Sequence, residues 1–68
     1  MSAMDRQVDG DHYKKYKIQP TDFIIKNEIP FCEGNIIKYV CRWRDKGGYM
    51  DLKKAKHYLG ILMEQEKN

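Results

Sequence analysis

The sequence predicts an all-α fold, a short helix followed by an antiparallel helical hairpin, completed by homo-oligomerisation. Three observations lead there. Apolar residues between Ile36 and Trp43, and again between Leu52 and Met63, recur at spacings of three and four, the period of a helix and not of a strand. Pro20, Pro30 and the pair Gly47 and Gly48 stand where helices begin and end. Finally, a chain of 8.1 kDa buries only about 60% of its unfolded surface. Trp, Phe and Tyr side chains on more than one face then need burial between subunits.

The elements follow in chain order. Residues 1–11 mix Ser, Asp, Gln and Gly without a period and are expected to form a flexible leader ahead of one helical domain over residues 12–68. From His12 to Gln19 aromatic and cationic residues alternate without helical spacing, which suggests an extended arm. Pro20 suits the first position of a helix, and Asp22 in its first turn favours the positive end of the dipole. This helix carries Phe23, Ile24 and Ile29, and Pro30 ends it.

A second helix is expected to start between Cys32 and Asn35 and to reach Asp45 or Lys46, with Ile36, Ile37, Val40, Cys41 and Trp43 as its apolar face. Lys46, Gly47 and Gly48 break it, a glycine taking the left-handed cap. The third helix runs from about Met50 to Glu66 and buries Leu52, Ala55, Tyr58, Leu59, Leu62 and Met63. The short connection makes the second and third helices antiparallel neighbours.

Composition narrows the function classes. With 41% hydrophobic and 34% charged residues the chain is neither a disordered tail nor a fibrous repeat. No apolar run is long enough to span a membrane, and the polar N-terminus lacks the apolar core of a signal peptide, so a cytoplasmic protein is expected. Cys32 and Cys41, nine positions apart on one helix, would be about 13 Å apart, beyond disulfide reach. Neither the cysteines nor His12 and His57 have metal-ligand spacing, and no P-loop is present.

The charge is unevenly placed. Residues 1–31 balance five Lys and Arg against five Asp and Glu, whereas residues 38–57 set seven cations against Asp45 and Asp51. Within that basic part Asn35, Lys38 and Arg42 fall at i, i+3 and i+7 and so line one strip beginning at a helix N-terminus. Arg presents a planar fork to phosphate oxygens, Lys a point charge, and Asn both a donor and an acceptor. Gly34 there would let a ligand approach the backbone, and Tyr39, with Tyr13 near His12, could stack a base. The candidate ligand-binding residues are therefore His12, Tyr13, Gly34, Asn35, Lys38, Tyr39, Arg42, Lys46 and Gly47.

The same residues admit a plainer account, with Lys38 and Arg42 on a solvated face, Asn35 a cap, and Tyr39 and Trp43 in a core or subunit interface. Asp22, Glu33 and Asp51 could converge on Mg²⁺ or could simply be acids favoured at helix starts.

The run from Ile18 to Ile24, the segment Gly34-Asn35-Ile36-Ile37-Lys38-Tyr39 with Arg42, then Lys46-Gly47-Gly48 and Asp51-Leu52-Lys53-Lys54-Ala55 with Tyr58-Leu59, resembles a family of small phage and prophage proteins of unknown function. A related domain occurs within a phage nucleotide kinase that lacks a P-loop. The likeness covers about residues 12–64 and implies phage origin, a compact helical domain and a link to nucleotides. The expected function is binding of a nucleotide or other phosphate-bearing ligand, with sequestration from host defence or metabolism as one use. The alternatives are phosphoryl transfer to a nucleoside monophosphate, with Mg²⁺ as cofactor, and an interaction module for DNA or a host protein.

Overall fold

The computed structural model describes residues 16–67. Among them are three helices and no strand: α1 (Pro20–Lys26), α2 (Phe31–Arg42) and α3 (Tyr49–Lys67). The expected leader and the first part of the arm, with His12 and Tyr13, lie outside the described residues. Where the arm enters them, the Tyr16 hydroxyl donates to the Cys41 carbonyl at 2.8 Å and holds this segment against the last turns of α2.

Pro20 opens α1 at its first turn and is buried. Asp22 pairs with Lys26 one turn on, at 3.3 Å. The helix ends earlier than the position of Pro30 suggests, and a backbone motif ends it. Glu28 takes a left-handed conformation (φ 52°), its N–H donates to the Ile25 carbonyl, and the Ile29 N–H reaches back to the Ile24 carbonyl at 2.9 Å. That pair of bonds is a Schellman cap with glutamate where glycine is usual. Ile29 thus lies outside α1, and Pro30 precedes α2 as its cap residue.

α2 starts at Phe31, earlier than expected, with Pro30 as its cap residue, whose carbonyl accepts the first helical bond from the Gly34 N–H at 2.8 Å. Gly34 is the buried residue of α2, and a Cβ there would sit 3.0 Å from Ile24 Cγ2. The missing side chain lets α1 lie close across α2. Regular helix stops at Arg42, and residues 43–48 continue as turns in which the Lys46 N–H still bonds the Arg42 carbonyl. Gly48 (φ 56°) reverses the chain, and its carbonyl accepts the Asp51 N–H as α3 begins. The Gly48 conformation is one that only glycine adopts without penalty.

α2 and α3 pack as the expected antiparallel hairpin, but little of it is sequestered. Ala55 is the buried hydrophobic residue among those described, and beside it lies Asp51, 1% exposed. Leu52, Tyr58 and Leu62 are half-buried, as are Ile36, Ile37, Cys41 and Trp43. Val40, Leu59 and Met63, expected inside, are largely exposed. Three helices of 7, 12 and 19 residues offer too few facing positions to enclose both stripes.

Candidate functional site

The strip of Asn35, Lys38 and Arg42 does not act as one unit, because α2 is gripped on two sides. Asn35 turns its amide back to the Phe31 carbonyl at 3.1 Å. With Lys38 it lines a groove of 310 Å³ between α1 and α2, whose other walls include Ile24, Ile29, Pro30 and Phe31. Gly34 lies on the floor of that groove, where it accommodates Ile24.

Arg42 faces α3. Its Nε donates to Asp51 Oδ2 at 3.2 Å, in an ion pair whose side chains are 14% and 2% exposed. The Gly47 N–H donates to the same oxygen at 3.0 Å. A Cβ at Gly47 would overlap the Asp51 carboxylate, so this glycine and this acid require each other. The acid sits one turn into α3 and reaches back to the loop, the half of a capping box that satisfies an unpaired backbone donor. Arg42, Gly47 and Asp51 therefore lock the hairpin turn. Lys46 lies in that turn, exposed.

Of the two readings of Asp22, Glu33 and Asp51, convergence on Mg²⁺ or acids placed at helix starts, the geometry fits the second. Asp22 belongs to the Lys26 pair and Asp51 to the turn, and among the described residues no three His, Cys, Asp or Glu side chains come together. Cys32 and Cys41 are free thiols, both half-buried.

A different set of residues converges on one side of the hairpin. Tyr39 of α2 stacks on Tyr58 of α3, with ring centres 6.1 Å apart and planes 13° from parallel. Two cations stand over the Tyr39 ring, the Arg42 guanidinium carbon at 4.9 Å and Lys54 Nζ at 5.4 Å. Lys53, Lys54 and His57 join the two tyrosines around a cleft of 280 Å³. Phe31 meets the edge of Tyr58 at 5.9 Å and extends the aromatic surface. Next to it along α3, and sharing Lys53 and His57 with it, a second hollow of 550 Å³ is lined by Tyr49, Lys56, Gly60, Ile61 and Glu64.

Of the residues nominated from sequence, Tyr39 lines this cleft and Arg42 stands over the Tyr39 ring, whereas Asn35 and Lys38 lie in the α1–α2 groove. Lys53, Lys54, His57 and Tyr58 are the residues that the sequence reading did not nominate. Lys54 and Tyr58 stand four apart on α3, a spacing that places them on one face. What spacing within α3 alone cannot show is which residue of α2 stands opposite them.

Stacked aromatics beside ammonium groups have a definite chemistry. The ring faces offer a platform for a planar base, and the lysines and histidine offer donors to anionic oxygens. The cleft is open on one side, so these cations act in a partly aqueous medium, where each contact to an anion contributes modestly.

Among the described residues no helix is long and apolar enough to cross a membrane. No curated protein and no solved structure matches the chain. A family model does: that of DUF3310, described as a protein of unknown function, which matches residues 8–60 and nothing in which refers to a nucleotide kinase. Since the match takes in α1, α2, the locked turn and the part of α3 that bears the cleft, the chain belongs to the DUF3310 family.

Proposed function

We propose that this protein binds a nucleotide, a ligand with a planar base and an anionic phosphate, in the cleft between α2 and α3. The observation that supports the reading is the stacked Tyr39–Tyr58 pair with Lys54 over the Tyr39 ring and Lys53 and His57 beside it. The base lies against the tyrosines, and the phosphate meets the ammonium groups of Lys53 and Lys54. The phosphate seat thus moves from the start of α2 to the first two turns of α3.

Binding is favoured over phosphoryl transfer because the acid best placed to hold Mg²⁺, Asp51, is committed to Arg42 and Gly47. Sequestration of a nucleotide signal used by host defence is one use of such binding.

Calorimetry of the full chain with nucleoside mono- and triphosphates, a cyclic nucleotide, an uncharged nucleoside and inorganic phosphate tests the reading. Heat with the nucleotides, with the nucleoside and phosphate each much weaker, is expected. Lys54→Ala should weaken nucleotide binding by about tenfold, the scale of one charge-assisted hydrogen bond. Equal affinity of wild type and Lys54→Ala, or no heat with any nucleotide at low salt, overturns it.

A further inference from the structure

The two hollows on α3 share Lys53 and His57 and therefore adjoin. An aromatic surface stands on each side of the shared pair. The Tyr39–Tyr58 stack lies on the α2 side, with the His57 ring edge-on to Tyr58 at 5.7 Å. Tyr49, the first residue of α3 and 73% exposed, lies on the other.

Lys53 and Lys54 are consecutive, so their side chains leave α3 about 100° apart, and each meets a different ring. Lys53 Nζ is 5.9 Å from the Tyr49 ring centre, and Lys54 Nζ is 5.4 Å from that of Tyr39. Tyr49, Lys53 and His57 recur at every fourth residue, along a strip of α3 beside the one that bears Lys54 and Tyr58. A single nucleotide stacked on Tyr39 and Tyr58, with its phosphate at the two lysines, leaves the Tyr49 ring bare. A second base joined through that phosphate covers it.

We propose that the ligand is a dinucleotide unit, two bases linked by one phosphodiester. One base stacks on the Tyr39–Tyr58 pair, the linking phosphate lies between Lys53 and Lys54 with His57 beside it, and the second base stacks on Tyr49. This rests on the cleft reading given above and extends it from one nucleotide to two.

The spacing and the charges agree with this placement. Lys54, whose ammonium stands over the Tyr39 ring, is five residues beyond Tyr49, about 7.5 Å along α3, so the bases are splayed and not stacked on each other at about 3.4 Å. Lys56 adds a cation to the second hollow, whereas the Glu64 carboxylate at its far end repels phosphate oxygens. The second nucleoside is thereby directed toward Tyr49 and away from the C-terminal part of α3.

Calorimetry of the full chain with AMP and with the dinucleoside monophosphate ApA tests the proposal. The two ligands separate stacking from charge, because a terminal phosphate carries nearly two negative charges at neutral pH and a phosphodiester one. On charge alone AMP binds more tightly. ApA is expected to bind at least about fivefold more tightly than AMP, the lower end of what one aromatic stack contributes. Tyr49→Ala should reduce ApA to the level of AMP or below and leave AMP unchanged, while Tyr49→Phe should keep the gain, with circular dichroism reporting helix content in each variant. A single strand of about ten adenine nucleotides that binds more tightly than ApA places the unit within a strand, and equal affinity identifies a free dinucleotide. ApA no tighter than AMP, or a gain that survives Tyr49→Ala, overturns the second platform, and AMP binding that Lys54→Ala weakens then leaves the cleft reading standing. Absence of binding by AMP and ApA alike overturns both together.

Discussion

Asp51 shows how one residue can be misjudged from its neighbourhood in sequence. An acid in the first turn of a helix is ordinary, and its spacing of nine from Arg42 corresponds to no helical face. Only the chain reversal at Gly48 brings the two together, at 3.2 Å and out of water. Removing one partner of such a pair leaves the other buried without compensation. Asp51→Ala should therefore cost about 3–5 kcal/mol, seen as a loss of most of the folded signal or a large fall in the urea midpoint. Gly47→Ala should be destabilising for a different reason, the overlap of its methyl with the same carboxylate. At Glu28 the sign reverses. Its left-handed backbone costs a β-carbon-bearing residue about 1 kcal/mol or more, and glycine removes that strain while losing more entropy on folding. Glu28→Gly is expected to raise stability by about 0.5–1 kcal/mol, measured as a higher melting temperature.

At the scale of elements, most of the architecture was legible. The spacing of three and four found α2 and α3, Pro20 found the start of α1, and Gly48 takes the left-handed cap conformation expected of that glycine pair. The ends of helices were less legible, because backbone motifs set them: the Schellman bonds at Glu28 and Ile29 stop α1 with no glycine to announce it. Gly34 carried a real signal that was assigned to the wrong neighbour. It lies where backbone is approached closely, and what approaches is Ile24 of α1. Gly34→Val should push α1 off α2, so amide hydrogen exchange in residues 20–26 should accelerate while the protected amides of α3 keep their rates.

For the whole molecule, the same arithmetic that limits the core explains the surface. Ala55 alone among the described hydrophobic residues is buried, and large apolar side chains on all three helices, among them Phe23, Phe31 and Met63, are 44–74% exposed. Hydropathy patterning therefore marked which residues are apolar without marking which are enclosed. The candidate site was half-legible for a related reason. The excess of cations over residues 38–57 located the electropositive region, and Tyr39 and Arg42 were found within it. The pairing of Tyr39 with Tyr58 and Lys54 needed the register of α2 against α3, which no single helix encodes. Because the cleft's cations are partly hydrated, nucleotide affinity should fall as salt is raised from 50 to 500 mM, by roughly tenfold for two lysine–phosphate contacts. Affinity unchanged by salt would point to stacking alone.

The proposal of a nucleotide site in the cleft is most directly tested by a ¹H–¹⁵N correlation titration of the full chain with a nucleoside monophosphate. Shifts that grow together with added ligand are expected at Tyr39, Lys53, Lys54, His57 and Tyr58, with the amides around Ile24, Ile29 and Asn35 little affected. Perturbations confined to the α1–α2 groove, or a spectrum unmoved at millimolar ligand, would contradict the assignment.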